Sequence, residues 1–198
     1  AAAGEALRAR LPGCEVMDMP MGPQGWRTDI DVLLAGPSKT WAAHPRPDGW
    51  PGALRWIQLP ATGVDAYPAW LFEAPVVCTA PGLNAAAIAE FALAAMLAHE
   101  KRFPSTWIHG SDEWTQRSLG TLRGRTLALA GVGAIGSAVA RHALGFGMEV
   151  HAFRRSPERP MEGVVVHTDF MALAPRADHL VLCLPFTPQT RYLVDARF

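Results

Sequence analysis

The sequence predicts an α/β protein built on parallel sheet, and three observations carry that prediction. Short apolar runs of strand length alternate with helices or helix-sized connections along the chain. The run over 126–130, Thr-Leu-Ala-Leu-Ala, has no polar interruption after its first residue, as a strand buried on both faces requires. It leads into Gly131, Gly133 and Gly136, a G-x-G-x-x-G turn that opens a helix. In that helix Val139, Ala140, Ala143 and Leu144 recur at helical spacing, and Gly145 and Gly147 close it before a second strand over 148–153.

Taken in order, residues 1–11 read as an amphipathic helix closed by Pro12-Gly13. The chain begins without Met and directly on this helix, so a leading strand is expected ahead of it. Residues 14–17 read as a short strand, and 19–28 as a loop with Pro20, Gly22, Pro23 and Gly25. Ile30 to Ala35 reads as a buried parallel strand, 36–51 as loop or short helix, and 53–59 as another short strand. A Pro60-Ala61-Thr62-Gly63-Val64-Asp65 loop follows, then a helical turn over 67–72 and a strand over 74–79.

The spacing over 84–101 predicts the clearest helix. Asn84 is its expected cap. Ile88, Phe91, Ala92, Ala95 and Met96 fall on one apolar face, widened by Leu93 and Leu97. The small-residue surface suits packing on the following domain, on a second subunit, or on both. Residues 103–120 form an irregular arm in which Trp107 and Trp114 serve either a contact surface or packing within the same subunit. Beyond the glycine turn and its helix, a proline-containing loop over 157–163 leads to a strand over 164–167. A short helix over 169–174 and a strand over 179–184 ending at Pro185 complete the pattern.

The three glycines each answer a physical need. Gly131 permits the tight turn out of the strand, Gly133 lets backbone approach a pyrophosphate, and Gly136 lets helix and strand pack closely. Backbone N–H groups near Ala134 and Ile135 then face the phosphates with the helix dipole behind them. The second strand ends in Phe153-Arg154-Arg155-Ser156, with no acid before Glu158. A carboxylate there favours NAD, whereas two guanidinium groups and a hydroxyl suit a 2′-phosphate. NADP(H) is therefore the expected cofactor, with NAD(H) open to it; the other reading makes Arg154 and Arg155 solvated surface residues. Gly133, Arg154 and Pro185 all fall at carboxyl ends of strands, where a doubly wound sheet holds its ligand.

Composition sets bounds around this reading. With 198 residues, zero formal net charge and 49% hydrophobic content, the chain suits one or two globular domains. Balanced charge gives no reason to expect nucleic acid or an anionic membrane as partner. Cys14, Cys78 and Cys183 are odd in number and widely spaced, which points to a reducing, cytoplasmic compartment. The seven histidines show no metal-ligand spacing, so no metal is expected. The longest apolar run, 85–98, is interrupted by Glu90 and is too short to span a bilayer.

Several segments together resemble the D-isomer-specific 2-hydroxyacid dehydrogenases. Ala61-Thr62-Gly63-Val64-Asp65 resembles the family's substrate loop. Residues 84–102, with Ala89-Glu90, resemble its hinge helix, and 124–150 its cofactor fingerprint. Residues 183–191, Cys-Leu-Pro-Phe-Thr-Pro-Gln-Thr-Arg, resemble its L-P-x-T-P-x-T segment. The match runs from Ile57 onward, while residues 1–56 agree only in α/β rhythm. The arginine pair after the second strand is similar to that of the NADPH-using glyoxylate and hydroxypyruvate reductases of the family.

The resemblance implies two Rossmann-like domains, both incomplete in this chain. A partial flavodoxin-like substrate domain spans 1–83, and a partial doubly wound nucleotide domain spans 84–198, including the hinge helix over 84–101. It implies hydride transfer between NADP(H) and a small, D-specific 2-keto or 2-hydroxy acid of glyoxylate or hydroxypyruvate type, and a homodimer. Carried over by position, the N–H groups near Thr62, Gly63 and Val64 hold the substrate carboxylate, Met96 lies near the nicotinamide, and Leu184, Pro185 and Thr190 line the nucleotide site. The family's arginine, glutamate and acid–base histidine follow the L-P-x-T-P-x-T segment, so they are expected beyond Phe198. Neither His109, His167 nor Arg191 sits in a matching motif. A dinucleotide-sensing, corepressor-like protein on the same fold is the other reading, and the presence or absence of those three residues discriminates the two.

Overall fold

The structure, a computed structural model, describes residues 2–20, 22–36, 38–154 and 161–195. The chain divides between Pro81 and Gly82 into two units, each an α/β arrangement on a parallel sheet.

The first unit contains α1 (Ala2–Arg10), β1 (Val32–Leu34), α2 (Ser38–Ala42), β2 (Trp56–Gln58) and β3 (Val77–Cys78), with the strands parallel in the order β1-β2-β3. Ile57, at the centre of β2, is fully buried with Leu33, Leu59 and Leu71. Around them Trp26, Trp50 and Trp70 pack edge to face or tilted, with ring centres 4.5 and 4.9 Å apart. The Trp50 indole N–H donates to the Trp70 carbonyl at 2.9 Å. Tyr67 donates its hydroxyl to the Gly36 carbonyl at 2.9 Å, and burial raises its phenol above the ordinary range.

Two expectations for this unit are corrected. Residues 14–17 form no strand, because the Val16 carbonyl accepts from the Arg8 guanidinium and no neighbouring strand pairs with the segment. The strand expected buried over 30–35 buries one face only. Leu33 and Ala35 are inside, while Val32 and Leu34 are about half exposed.

The second unit contains α3 (Ala85–Lys101), β4 (Thr126–Ala130), α4 (Ala134–Gly145), β5 (Glu149–Phe153), β6 (Val164–His167), α5 (Phe170–Leu173) and β7 (His179–Leu182). All four strands are parallel, in the order β6-β5-β4-β7. The chain moves outward from β4 through β5 to β6, then returns to the other side of β4. That reversal is the topological switch point of a doubly wound sheet. Leu127, Ala128, Leu129 and Ala130 of the central strand are all fully buried, so the unbroken apolar run is explained by two covered faces.

The inward face of α3 differs from the expected one. It runs through Ala89, Leu93, Met96 and Glu100, whereas Ile88 is exposed and Phe91 is 75% exposed. Nor does Asn84 make a side-chain cap. The register is set where α3 lies on α4, whose buried residues include the small Ala138, Ala140 and Ala143, and by Glu100. That carboxylate is 8% exposed, lies 3.1 Å from His179 Nε2 and 3.5 Å from Arg125 Nε, and so enters the interior with partners. Gly120 is held alongside: its N–H donates to the Glu100 carbonyl, and its own carbonyl accepts from Lys101 Nζ.

Asp178 fixes the register between β7 and β4. Its carboxylate accepts the Thr126 N–H at 2.8 Å and an Arg125 N–H at 2.9 Å. The backbone bond first, and then the Arg125 charge, hold its carboxyl below the usual aspartate range. A lowered native value means stability that is present above the unfolded aspartate range and is lost as pH falls through the native value. Asp178→Ala should therefore cost about 1 kcal/mol at neutral pH, given the partial exposure of the pair. The gap from the parent should close in acid, which unfolding midpoints measured across pH will check.

Candidate functional site

The carboxyl ends of β4, β5 and β7 enclose a crevice of about 460 Å³, lined by Gly131, Val132, Gly133, Phe153, Arg154, Cys183, Leu184, Pro185, Thr187, Gln189, Thr190 and Leu193. It lies at the switch point, where the sheet order predicts a ligand.

One wall is built by the glycine turn. Gly131 has φ +97° and accepts no side chain: a Cβ there would stand 2.9 Å from Leu184 Cδ2 and 3.1 Å from the Cys183 carbonyl oxygen. A Cβ on Gly136 would overlap the Gly131 carbonyl oxygen, so this glycine is what lets α4 approach β4. Gly133 is different. It is the N-cap of α4 in an extended conformation, and nothing lies within 4 Å of where its Cβ would be. The space a side chain would take is open.

The first turn of α4 leaves the N–H groups of Ala134, Ile135 and Gly136 without an intrahelical acceptor, and Gly133 has no side chain to cap them. Donors, dipole and open cradle thus coincide at one point, which is the chemistry an anionic diphosphate needs. This arrangement fits the dinucleotide that the motif suggests. Arg154, at the end of β5, is half-buried among the lining residues and anchored through its backbone N–H to the His167 carbonyl at 3.0 Å. Arg155 and Ser156 lie outside the described residues.

The third wall follows β7. Cys183 donates its N–H to the Ala130 carbonyl at 2.8 Å, continuing the sheet by one residue, and burial pushes its thiol up. That raised value argues against a nucleophilic role. Thr190 turns the loop back on itself. Its hydroxyl accepts the Thr187 N–H at 2.8 Å and donates to the Pro185 carbonyl at 2.7 Å. Thr190 therefore shapes the wall as well as lining it.

Of the residues singled out in the sequence, Gly131, Gly133, Arg154, Leu184, Pro185 and Thr190 come together here, with Ala134, Ile135 and Gly136 just behind the cradle. Met96 does not. It is 6% exposed in the core of the second unit with Leu93, Leu122 and Leu127, so its thioether fills the interior. Thr187 and Gln189 also line the crevice. The signal for them was present in Thr-Pro-Gln-Thr, whose hydroxyls are spaced to bond within one turn. Thr62, Gly63 and Val64 belong to the first unit, in an exposed loop after β2. The Val64 carbonyl accepts the Tyr67 N–H at 3.0 Å, and among the described residues none accepts from the N–H groups of Thr62, Gly63 or Val64.

Comparison with known proteins agrees with this geometry. Residues 93–198 match the model of the D-isomer specific 2-hydroxyacid dehydrogenase NAD binding domain. The hydroxypyruvate reductase of Thermotoga maritima is 32% identical over 123 residues, covering 60% of this chain and 40% of that protein. The D-3-phosphoglycerate dehydrogenase of Mycobacterium bovis is 32% identical over 177 residues, covering 84% of this chain and 30% of that protein. Among solved structures, a glycerate dehydrogenase related protein from Thermoplasma acidophilum superposes with a TM-score of 0.64 at 25% identity, over 98% of this chain and 64% of that one. The matched region thus spans less than half the length of these two curated relatives. Glycine turn, switch-point crevice and matched model agree: the chain belongs to the D-isomer specific 2-hydroxyacid dehydrogenase family.

Proposed function

We propose that this chain contributes the dinucleotide-binding unit, and part of the substrate-binding unit, of an oxidoreductase. It moves a hydride between NADP(H) and a small 2-keto or 2-hydroxy acid of glyoxylate or hydroxypyruvate type, with D specificity. The observation that carries the reading is the convergence of the open Gly133 cradle, the unpaired amides that start α4, and Arg154 on one crevice. The names of the relatives, hydroxypyruvate reductase, D-3-phosphoglycerate dehydrogenase and glycerate dehydrogenase related protein, support a small hydroxy or keto acid as substrate class.

In this reading the cofactor, when bound, supplies the hydride chemistry. The chain's own residues bind and orient. The amides of Ala134 and Ile135 hold the diphosphate, Leu184 and Pro185 provide an apolar wall, and Thr190 keeps that wall in place. Arg154, with Arg155 and Ser156, takes the 2′-phosphate. The exposed amides of Thr62, Gly63 and Val64 take the substrate carboxylate. No residue of this chain is assigned as the acid–base histidine, its glutamate or the carboxylate-gripping arginine. A homodimer and a cytoplasmic location complete the reading. Trp107 and Trp114, 61% and 71% exposed between α3 and β4, support the first, and three free cysteines support the second.

Cofactor choice gives the direct test. Arg154→Ala should weaken NADPH binding by about tenfold or more, the worth of a charge-assisted bond, and NADH binding by less than about threefold. Titrations of parent and variant with both dinucleotides, alongside turnover assays with glyoxylate and hydroxypyruvate, decide it. Equal or tighter NADH binding by the parent chain would reject the NADP(H) preference.

A further inference from the structure

A pair of histidines beside the crevice is unused by the function proposed above. His151 Nδ1 and His167 Nε2 lie 2.8 Å apart, joining β5 to β6, the edge strand of the sheet. The ring centres are 5.1 Å apart and the planes differ by 28°. That separation equals the N···N distance plus one radius of each ring, so the imidazoles meet end to end and not face over face. Their lone-pair directions point at each other and leave room for one proton: one nitrogen donates and the other accepts. The same geometry offers a cation no shared vertex, and among the described residues no third His, Cys, Asp or Glu completes a metal-binding group. The pair sits against the crevice wall. Phe153, which lines the crevice, pairs with His167 in register, and the His167 carbonyl accepts the Arg154 N–H.

We propose that His151 and His167 form a proton-dependent brace for dinucleotide binding, tying β6 to the Arg154 end of β5 while at most one ring is charged and releasing it when both are. The proposal rests on reading the crevice as a dinucleotide site. With no added proton, a neutral N–H donates to a neutral ring nitrogen. With one, an imidazolium donates to a neutral ring, a charge-assisted and stronger bond. With two, donor faces donor, the bond is lost, and two like charges abut. Among the described residues edge strand β6 has only β5 as neighbour, so there this cross-strand tie has no substitute on its other side.

Among the described residues the charged surroundings are few. Glu149 lies two residues before His151 on the same strand face, exposed. Asp169 lies two residues after His167, its carboxylate engaged with the Met171 and Ala172 N–H groups. Arg154 flanks the pair on the crevice side. Neither β4 nor α5 carries a titratable side chain. Helix α4 packs on the opposite sheet face, with Arg141 and His142 exposed.

The test compares the full chain with the variant H151Q/H167Q, in which amide side chains can span the strands without titrating. Unfolding midpoint without ligand, and NADPH and NADH affinity, are measured across a pH series from about 8 down to about 5. The parent should lose at least about fivefold more dinucleotide affinity on acidification than the glutamine pair, a coupling of ordinary size. Its midpoint should also fall more steeply. Parallel pH profiles for parent and variant, in either measurement, overturn the proposal. If neither protein binds a dinucleotide at any pH, the crevice reading fails on its own account, and the dinucleotide brace falls with it. The midpoints then still report whether the histidine tie responds to protons.

Discussion

Gly133→Leu is expected to abolish dinucleotide binding, weakening it by about 100-fold or more, roughly 2.7 kcal/mol, without unfolding the protein. Both halves follow from the local geometry. Gly133 has φ −83° and ψ −160°, a conformation open to any L-residue, and empty space where a side chain would begin. The backbone therefore accepts the substitution. The side chain fills the cradle in front of the α4 amides, so no anion reaches them and their partial positive charge goes unused. Calorimetric titration with NADPH and a thermal melt of the same sample separate the two effects. Retained affinity would place the dinucleotide elsewhere.

Gly136→Val should have the opposite signature, a loss of stability of about 3 kcal/mol or more through overpacking against backbone that cannot yield. Any Cβ at 136 runs into the Gly131 carbonyl oxygen, and the next neighbour is the Cys183 side chain. To relieve the overlap α4 must move off β4, opening the cluster in which Val139, Leu127 and Leu129 are fully buried. Urea unfolding followed by far-UV circular dichroism should show a lowered midpoint for the transition of the second unit. Five of the seven tryptophans, Trp26, Trp41, Trp50, Trp56 and Trp70, lie in the first unit, and in a W107F/W114F background their fluorescence should report an unaltered one. Three glycines of one motif thus separate by role: Gly131 for the turn, Gly136 for packing and Gly133 for the ligand.

Much of this was legible before the structure because it is local. A strand, a glycine turn and a helix within about twenty residues announce themselves by apolar run, glycine spacing and periodicity. So do Arg154 at the end of β5 and Pro185 beyond β7, once strand ends are known to converge. What escaped was set by distant partners. Helix α3 is rich in alanine and apolar on most of its circumference, so periodicity alone chose Ile88 and Phe91 for the inside. The real choice was made by α4 and by His179, which meets Glu100 from 79 positions away. Val16 reads as strand until Arg8 is seen to occupy its carbonyl. Met96 falls on the buried stripe of α3 in both readings, but a helical stripe says nothing about which neighbour, core or ligand, a residue will touch. The His151–His167 contact needs the strand register, which the sequence does not state.

That a dinucleotide's diphosphate rests on the amides that start α4 is open to one decisive measurement, a crystal structure of the chain with NADPH. Diphosphate oxygens should lie within hydrogen-bonding distance of the Ala134 and Ile135 N–H groups, with the 2′-phosphate beside Arg154. A dinucleotide bound elsewhere, or a crevice left empty at saturating NADPH, would contradict it.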